Sequence, residues 1–456
     1  MQLVGNPPLA RASRAVGSRV GRRVARPMEW NAPASLLMAG LLFEIPLAHL
    51  PISKALRFLV LGVPQQGDTS ARLTPGVFFA PEFLGVVGIG VLMLAGGYVG
   101  SARQARAFWV LVTASVLVMV GWAIALGASE FPVLSVTDGV YLIAGLLLGL
   151  LILSSRPSPT ATRLWVLSLL VGVGVAGAIG TYAYLTSVGL PTDLSQFGRA
   201  RALAEFDAYQ RATYGHPGGT SIVMSTAAVT SLMLFTARGT HPLVRLVLAL
   251  VFAICAANLL FAFSRWGWAS TVVGVSAVVL YWRTSLRGAS IVLLLLVAMW
   301  FVGARIVDQL APYFESALDD RSTSNLDLRF GLWLEGVRAV VLNPAGYGAQ
   351  MTTRAPGLTA DSAHNVFLDM SIQNGVLAGL GVLIWSAFHT SWFVRLLRTP
   401  RPQHDFAYAL TLGTTVFVAN QVFNGMYLIG ASGMVWHALW FTLPALALVS
   451  LDEGDE

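Results

Sequence analysis

The chain has 456 residues, of which 55% are hydrophobic and only 11% charged, with a formal net charge of +7. Ordinary soluble domains carry about 25% charged residues, so this composition, with a mean hydropathy of +0.69, excludes a water-soluble globular protein. The single cysteine, Cys255, lies inside an apolar run, which excludes a disulfide framework and a thiolate metal centre.

The first segment, 1–31, reads as a basic cytoplasmic arm. It carries Arg11, Arg14, Arg19, Arg22, Arg23 and Arg26, and its only acid is Glu29. Arg22-Arg23 resembles a twin-arginine export signal, but Glu29, Glu44 and Pro46 interrupt the apolar run after it and no small-residue cleavage site is evident.

Beyond the arm, apolar runs near the length that crosses a bilayer predict an all-α polytopic membrane protein. Twelve transmembrane helices are expected, at 32–50, 77–98, 107–127, 138–154, 164–187, 218–236, 244–263, 267–282, 289–307, 375–394, 406–423 and 433–450. Spans one to nine thus fill 32–307 around an outside loop at 188–217. A large outside loop at 308–374 and spans ten to twelve at 375–450 come next, and 451–456 is an acidic tail.

Orientation is set by the arginines. With the N-terminus inside, every second connection is short and basic: Arg103 and Arg106, Arg156 and Arg163, Arg238 and Arg245, Arg283 and Arg287, then Arg395, Arg398 and Arg401. That is the positive-inside pattern, and it puts both termini in the cytoplasm. The positive charge therefore belongs to topology rather than to nucleic-acid binding.

The outside loops need no arginines for topology, yet they carry Arg199, Arg201, Arg211, Arg265, Arg321, Arg329, Arg338 and Arg354. An anionic partner at the outer face explains the set, and lipid headgroups or local pairs such as Asp207 with Arg211 explain single members. The stretch from Phe197 to Gly219 has the pattern of an interfacial amphipathic helix, and its Glu205 and Asp207 lie among arginines that suit pairing better than metal binding. Arg265, at the boundary between two spans, is costly there unless it meets a polar partner.

The large outside loop holds the chemistry-bearing residues, as long loops on rigid scaffolds commonly do. Ser324 or Asn325 can cap a helix that Asn343-Pro344 ends, with Arg329 and Trp333 on one face at i,i+4. Pro344-Ala345-Gly346-Tyr347-Gly348 is a glycine-rich turn. Asp361 is expected to cap a second helix running to Asn374-Gly375, with His364 in its first turn and Asn365 beside it. There the helix dipole favours neutral imidazole, as a general base requires, while Asp361 opposes it. A histidine among arginines is what proton abstraction next to a developing anion needs.

Taken together, Ser264-Arg265 between two spans, Arg329 with Trp333 ahead of Pro344 and Gly346-Tyr347-Gly348, His364-Asn365 before a span, and Arg211 upstream of Gly215 and Pro217 resemble the O-antigen ligase and O-antigen polymerase superfamily of bacterial inner-membrane glycosyltransferases. The resemblance covers about 205–380 and departs in the spacing of the proline-glycine turn and in the basic arm. It implies a metal-independent enzyme without cofactor that takes a glycan from undecaprenyl diphosphate at the periplasmic face of the inner membrane. The acceptor is a sugar hydroxyl, on lipid A–core for a ligase or on another lipid-linked glycan for a polymerase. On that reading His364 is the base, Arg211, Arg265, Arg329, Arg338 and Arg354 hold the diphosphate, and Trp333, Asn365 and Asp361 support them. The rival of another class is a lipid-linked glycan transporter or flippase. Repeated halves and midplane ionisable groups would mark one, whereas here no repeat is visible and the cations gather at one face.

Overall fold

A computed structural model describes residues 32–47, 102–129, 132–154, 157–188, 217–262, 265–282, 329–348, 363–398, 405–423 and 430–452. All regular structure among them is helical. The helices are α1 (Ala32–Glu44, extended by a 3-10 turn over Ile45–Leu47), α2 (Ala102–Ala128), α3 (Pro132–Ser154), α4 (Pro159–Val188), α5 (Pro217–Thr236), α6 (Pro242–Ala262) and α7 (Arg265–Trp282). After these come α8 (329–342), α9 (Val366–Arg398), α10 (Asp405–Phe423) and α11 (Gly430–Asp452). Four of them open on proline, whose missing N–H costs nothing in a first turn. Before α4, Ser158 adds a side-chain cap, its Oγ accepting from the Ala161 N–H at 3.2 Å.

Five helices, α2, α4, α5, α6 and α9, are long and apolar enough to cross a membrane. Ten of the twelve expected spans fall on described helices, and those at 77–98 and 289–307 lie outside the described residues. The arm at 1–31 and nearly all of the outside loop at 188–217 also lie outside them.

The bundle is organised around α5, which touches α4, α6, α7 and α10 and whose apolar stretch is 94% buried. Its many hydroxyls are compatible with that burial because most bond back to their own helix: Thr226 Oγ1 to Ile222 O at 2.8 Å, Thr230 Oγ1 to Thr226 O at 2.7 Å. Asn420 of α10 donates to Ser225 Oγ and Ser270 Oγ, at 3.1 and 3.2 Å, tying α5, α7 and α10 together near one end of the bundle. At the other end the buried Asp405 carboxylate accepts from Tyr281 OH at 2.7 Å and from the Arg238 N–H at 3.2 Å. Inside α11, Pro444 leaves the Trp440 carbonyl without its helical donor, and Trp385 Nε1 of α9 supplies one at 3.0 Å.

α9 is broken. Gly375 adopts φ 82° and ψ 161°, dividing it into a short limb at 366–374 and a long one at 376–398. The limbs fold back on each other, so that a Cβ built on Gly379 would lie 3.0 Å from the Phe367 carbonyl oxygen. Phe367 then meets Trp440 edge-on at 5.8 Å, seating the short limb against α11.

Candidate functional site

The break in α9 is where the large loop attaches. α8 stops at Asn343-Pro344, and Asn343 Nδ2 closes the next turn by donating to Gly346 O at 2.9 Å. The ends of the short limb then find partners in that turn. The Ile372 and Gln373 carbonyls accept from the Tyr347 and Gly348 N–H groups at 2.8 and 2.9 Å, and the Val376 N–H donates to Pro344 O at 2.9 Å. Helix ends leave such groups orphaned, so the turn completes the break rather than merely touching it. Gly346 and Gly375 cross here with φ of 89° and 82° and so little space that a side chain on either would strike backbone. Tyr347 OH donates to Ala339 O at 3.3 Å, and burial raises its phenol above the ordinary value.

α8 lies along the short limb. Ala339, Ala363 and Ile372 form a small core with Val340, Tyr347 and Leu368 around it, and Gly336 faces Ala363. Arg329 is on this same side of α8, two turns before Gly336 and hence about 10 Å along the axis. Both Arg329 and Trp333 are half-buried, and Trp333 meets Phe330 edge-on at 5.3 Å.

His364 occupies an unusual backbone position, with φ 53°, the one positive value at a non-glycine residue among those described. Its neighbours hold it there. Asn365 Oδ1 accepts from the Phe367 and Leu368 N–H groups at 3.0 and 3.3 Å, and the Asn365 carbonyl takes the first helical bond from Asp369 N–H. The buried Asp369 carboxylate reaches back to the Ala363 N–H at 2.8 Å. The helix therefore begins at Val366 with Asn365 as its cap, which corrects the expectation that Asp361 caps it and that His364 lies in its first turn. Asn and Asp cap equally well; the start of the apolar sequence at Val366 was the signal that favoured Asn365. His364, half-exposed, stands just outside the helix N-terminus. Asp369 and the Gly346–Gly375 crossing were not foreseen as parts of this arrangement, and only the partners brought from elsewhere in the chain reveal them.

The remaining expected residues divide. Arg338 is exposed and, nine positions from Arg329, lies on the opposite side of α8, so the two do not converge. Arg265 is the first residue of α7; its side chain is outside the described set, but two residues on, Gly267 abuts Ser221, in the first turns of α5 after Pro217. Arg211, Arg354 and Asp361 lie outside the described residues, as do Glu205 and Asp207. Among those described, no three His, Cys, Asp or Glu side chains gather as a metal site would need.

Residues 248–383, from α6 to the upper part of the long limb of α9, match the O-antigen ligase family. This segment belongs to the O-antigen ligase superfamily. The ligase segment takes in Arg265, Arg329, Trp333, Arg338, Arg354, Asp361, His364 and Asn365, and leaves Arg211 outside. No curated protein matches the sequence. The ligase-family match over 248–383, together with the apolar helices around it, supports a multi-pass membrane protein with ligase- or polymerase-type function and a glycosyltransferase-like activity.

Proposed function

We propose that the chain transfers a glycan from undecaprenyl diphosphate to a sugar hydroxyl of lipid A–core at the periplasmic face of the bacterial inner membrane, with both termini in the cytoplasm. The observation that carries this reading is the braced His364 segment inside the ligase-family match, packed against the helix that bears Arg329. His364 takes the proton of the acceptor hydroxyl as its oxygen attacks the anomeric carbon. The bond from that carbon to the diphosphate oxygen breaks, and its electron pair leaves with the diphosphate. Guanidinium forks suit phosphate oxygens without a metal, and we assign that role to Arg211, Arg265, Arg329 and Arg354. Arg338 is left out, because the helix turns it away from Arg329.

The test uses purified full-length protein with an undecaprenyl diphosphate glycan and a chelator, with and without lipid A–core. Product that requires lipid A–core supports the ligase reading, and elongated lipid-linked glycan without it would make the enzyme a polymerase. His364→Ala is expected to abolish transfer and retain donor binding; unchanged turnover would remove it as the base. No covalent product from folded protein across a panel of donors would favour a transporter.

A further inference from the structure

α8 has two apolar faces and only one is covered within the described residues. Leu332 and Ala339 are buried on the side that meets the short limb of α9. On the other side Phe330, Leu334, Val337 and Val341 recur at i, i+4, i+7 and i+11, the spacing of one helical stripe. These four are 54, 73, 48 and 73% exposed. A stripe of large apolar side chains on a helix next to membrane spans needs an occupant.

We infer that α8 is a membrane-interface helix whose Phe330–Val341 stripe inserts among the lipids of the leaflet on the His364 side. Position supports lipid over protein. The exposed apolar residues of the neighbouring spans, Val116, Val120 and Ile124 on α2 and Val376, Leu380 and Leu383 on α9, run up to Ser129 and Gly375. The Pro344–Gly348 turn is bonded around Gly375 and its Gly348 abuts Ser129, and α8 ends two residues before the turn, so its stripe starts where the exposed stripes of the spans stop. The short limb on which α8 lies is itself folded against the bundle, which keeps α8 from rising away from the bilayer. Arg338 flanks the stripe, exposed and one residue from Val337, where a guanidinium can reach headgroup phosphates while its stem lies on the apolar side. Interfacial insertion also sets the depth of Arg329, on the other flank of the stripe from Arg338, near the level of lipid phosphates; this consequence rests on the proposed donor, while the lipid contact does not.

The test needs no substrate. Cys255 is fully buried, so Leu334→Cys or Val341→Cys in the full chain can be labelled selectively with an environment-sensitive fluorophore and reconstituted in phosphatidylethanolamine–phosphatidylglycerol vesicles. Labels at both positions are expected to emit at shorter wavelength than in water and to be quenched roughly twofold or more by lipids carrying a nitroxide near the headgroup, with little quenching by iodide. Strong iodide quenching without nitroxide quenching would overturn the inference, as would disulfide-linked dimers of the Leu334→Cys protein, which would make the face a contact between copies. Absence of glycan transfer by the unaltered protein, assayed separately with the undecaprenyl diphosphate donor, would refute the donor reading and leave the lipid contact standing.

Discussion

Replacing Gly375 with alanine tests whether the break in α9 holds the large loop in register with the short limb. At φ 82° and ψ 161° the backbone lies in a region essentially reserved for glycine, and a side chain there costs about 1–3 kcal/mol. The new Cβ would also lie 2.7 Å from the Ala345 carbonyl oxygen and 3.1 Å from that of Pro344, so the turn must shift. The shift weakens the bond from the Val376 N–H to Pro344 O, worth about 1 kcal/mol. The sum, about 2–4 kcal/mol, corresponds to about a 30- to 700-fold change in the equilibrium between docked and undocked turn. Hydrogen exchange monitored by mass spectrometry reads this directly. In Gly375→Ala the Tyr347, Gly348 and Val376 amides should exchange faster while α5 keeps its protection, and glycan transfer should fall in parallel. Exchange at those three amides equal to that of the unaltered protein would refute the reasoning.

Three other perturbations separate the remaining braces. Asn365→Ala removes the cap of the short limb and should cost about 1 kcal/mol in detergent unfolding, whereas Asn365→Asp retains it; equal losses in both would deny the cap its role. Asp369→Ala leaves the buried Ala363 N–H without its acceptor and is expected to cost about 1–3 kcal/mol and to lower transfer. Asp369→Asn keeps an accepting oxygen and should preserve most of both, a contrast read from paired melting curves and turnover. Arg265→Lys should reduce transfer despite the retained charge, because a point ammonium cannot reproduce the guanidinium fork; undiminished rates would assign Arg265 to headgroups or topology instead.

The class of this protein was legible from local pattern alone. Apolar run length is a property of contiguous residues, and expected spans such as 218–236 and 406–423 agree with α5 and α10 to within a residue or two. The grouping of His364, Arg329 and Trp333 within one loop was equally visible, as was the end of the short limb at Asn374-Gly375. The cap was misread because Asp361 and Asn365 offer the same chemistry, and the choice between them rests on the Ala363–Asp369 bond and on the core that Ala363 shares with α8. The opposite placement of Arg338 and Arg329 was implicit in helix geometry, but which side of α8 is covered was not. That depends on the pairing of Pro344–Gly348 with the carbonyls of 372 and 373, groups that the break at Gly375 leaves exposed. Periodicity determined which residues share a face; only the long-range contacts, made between backbone groups that carry no sequence signal, decided which face meets the His364 segment and which is left for another partner.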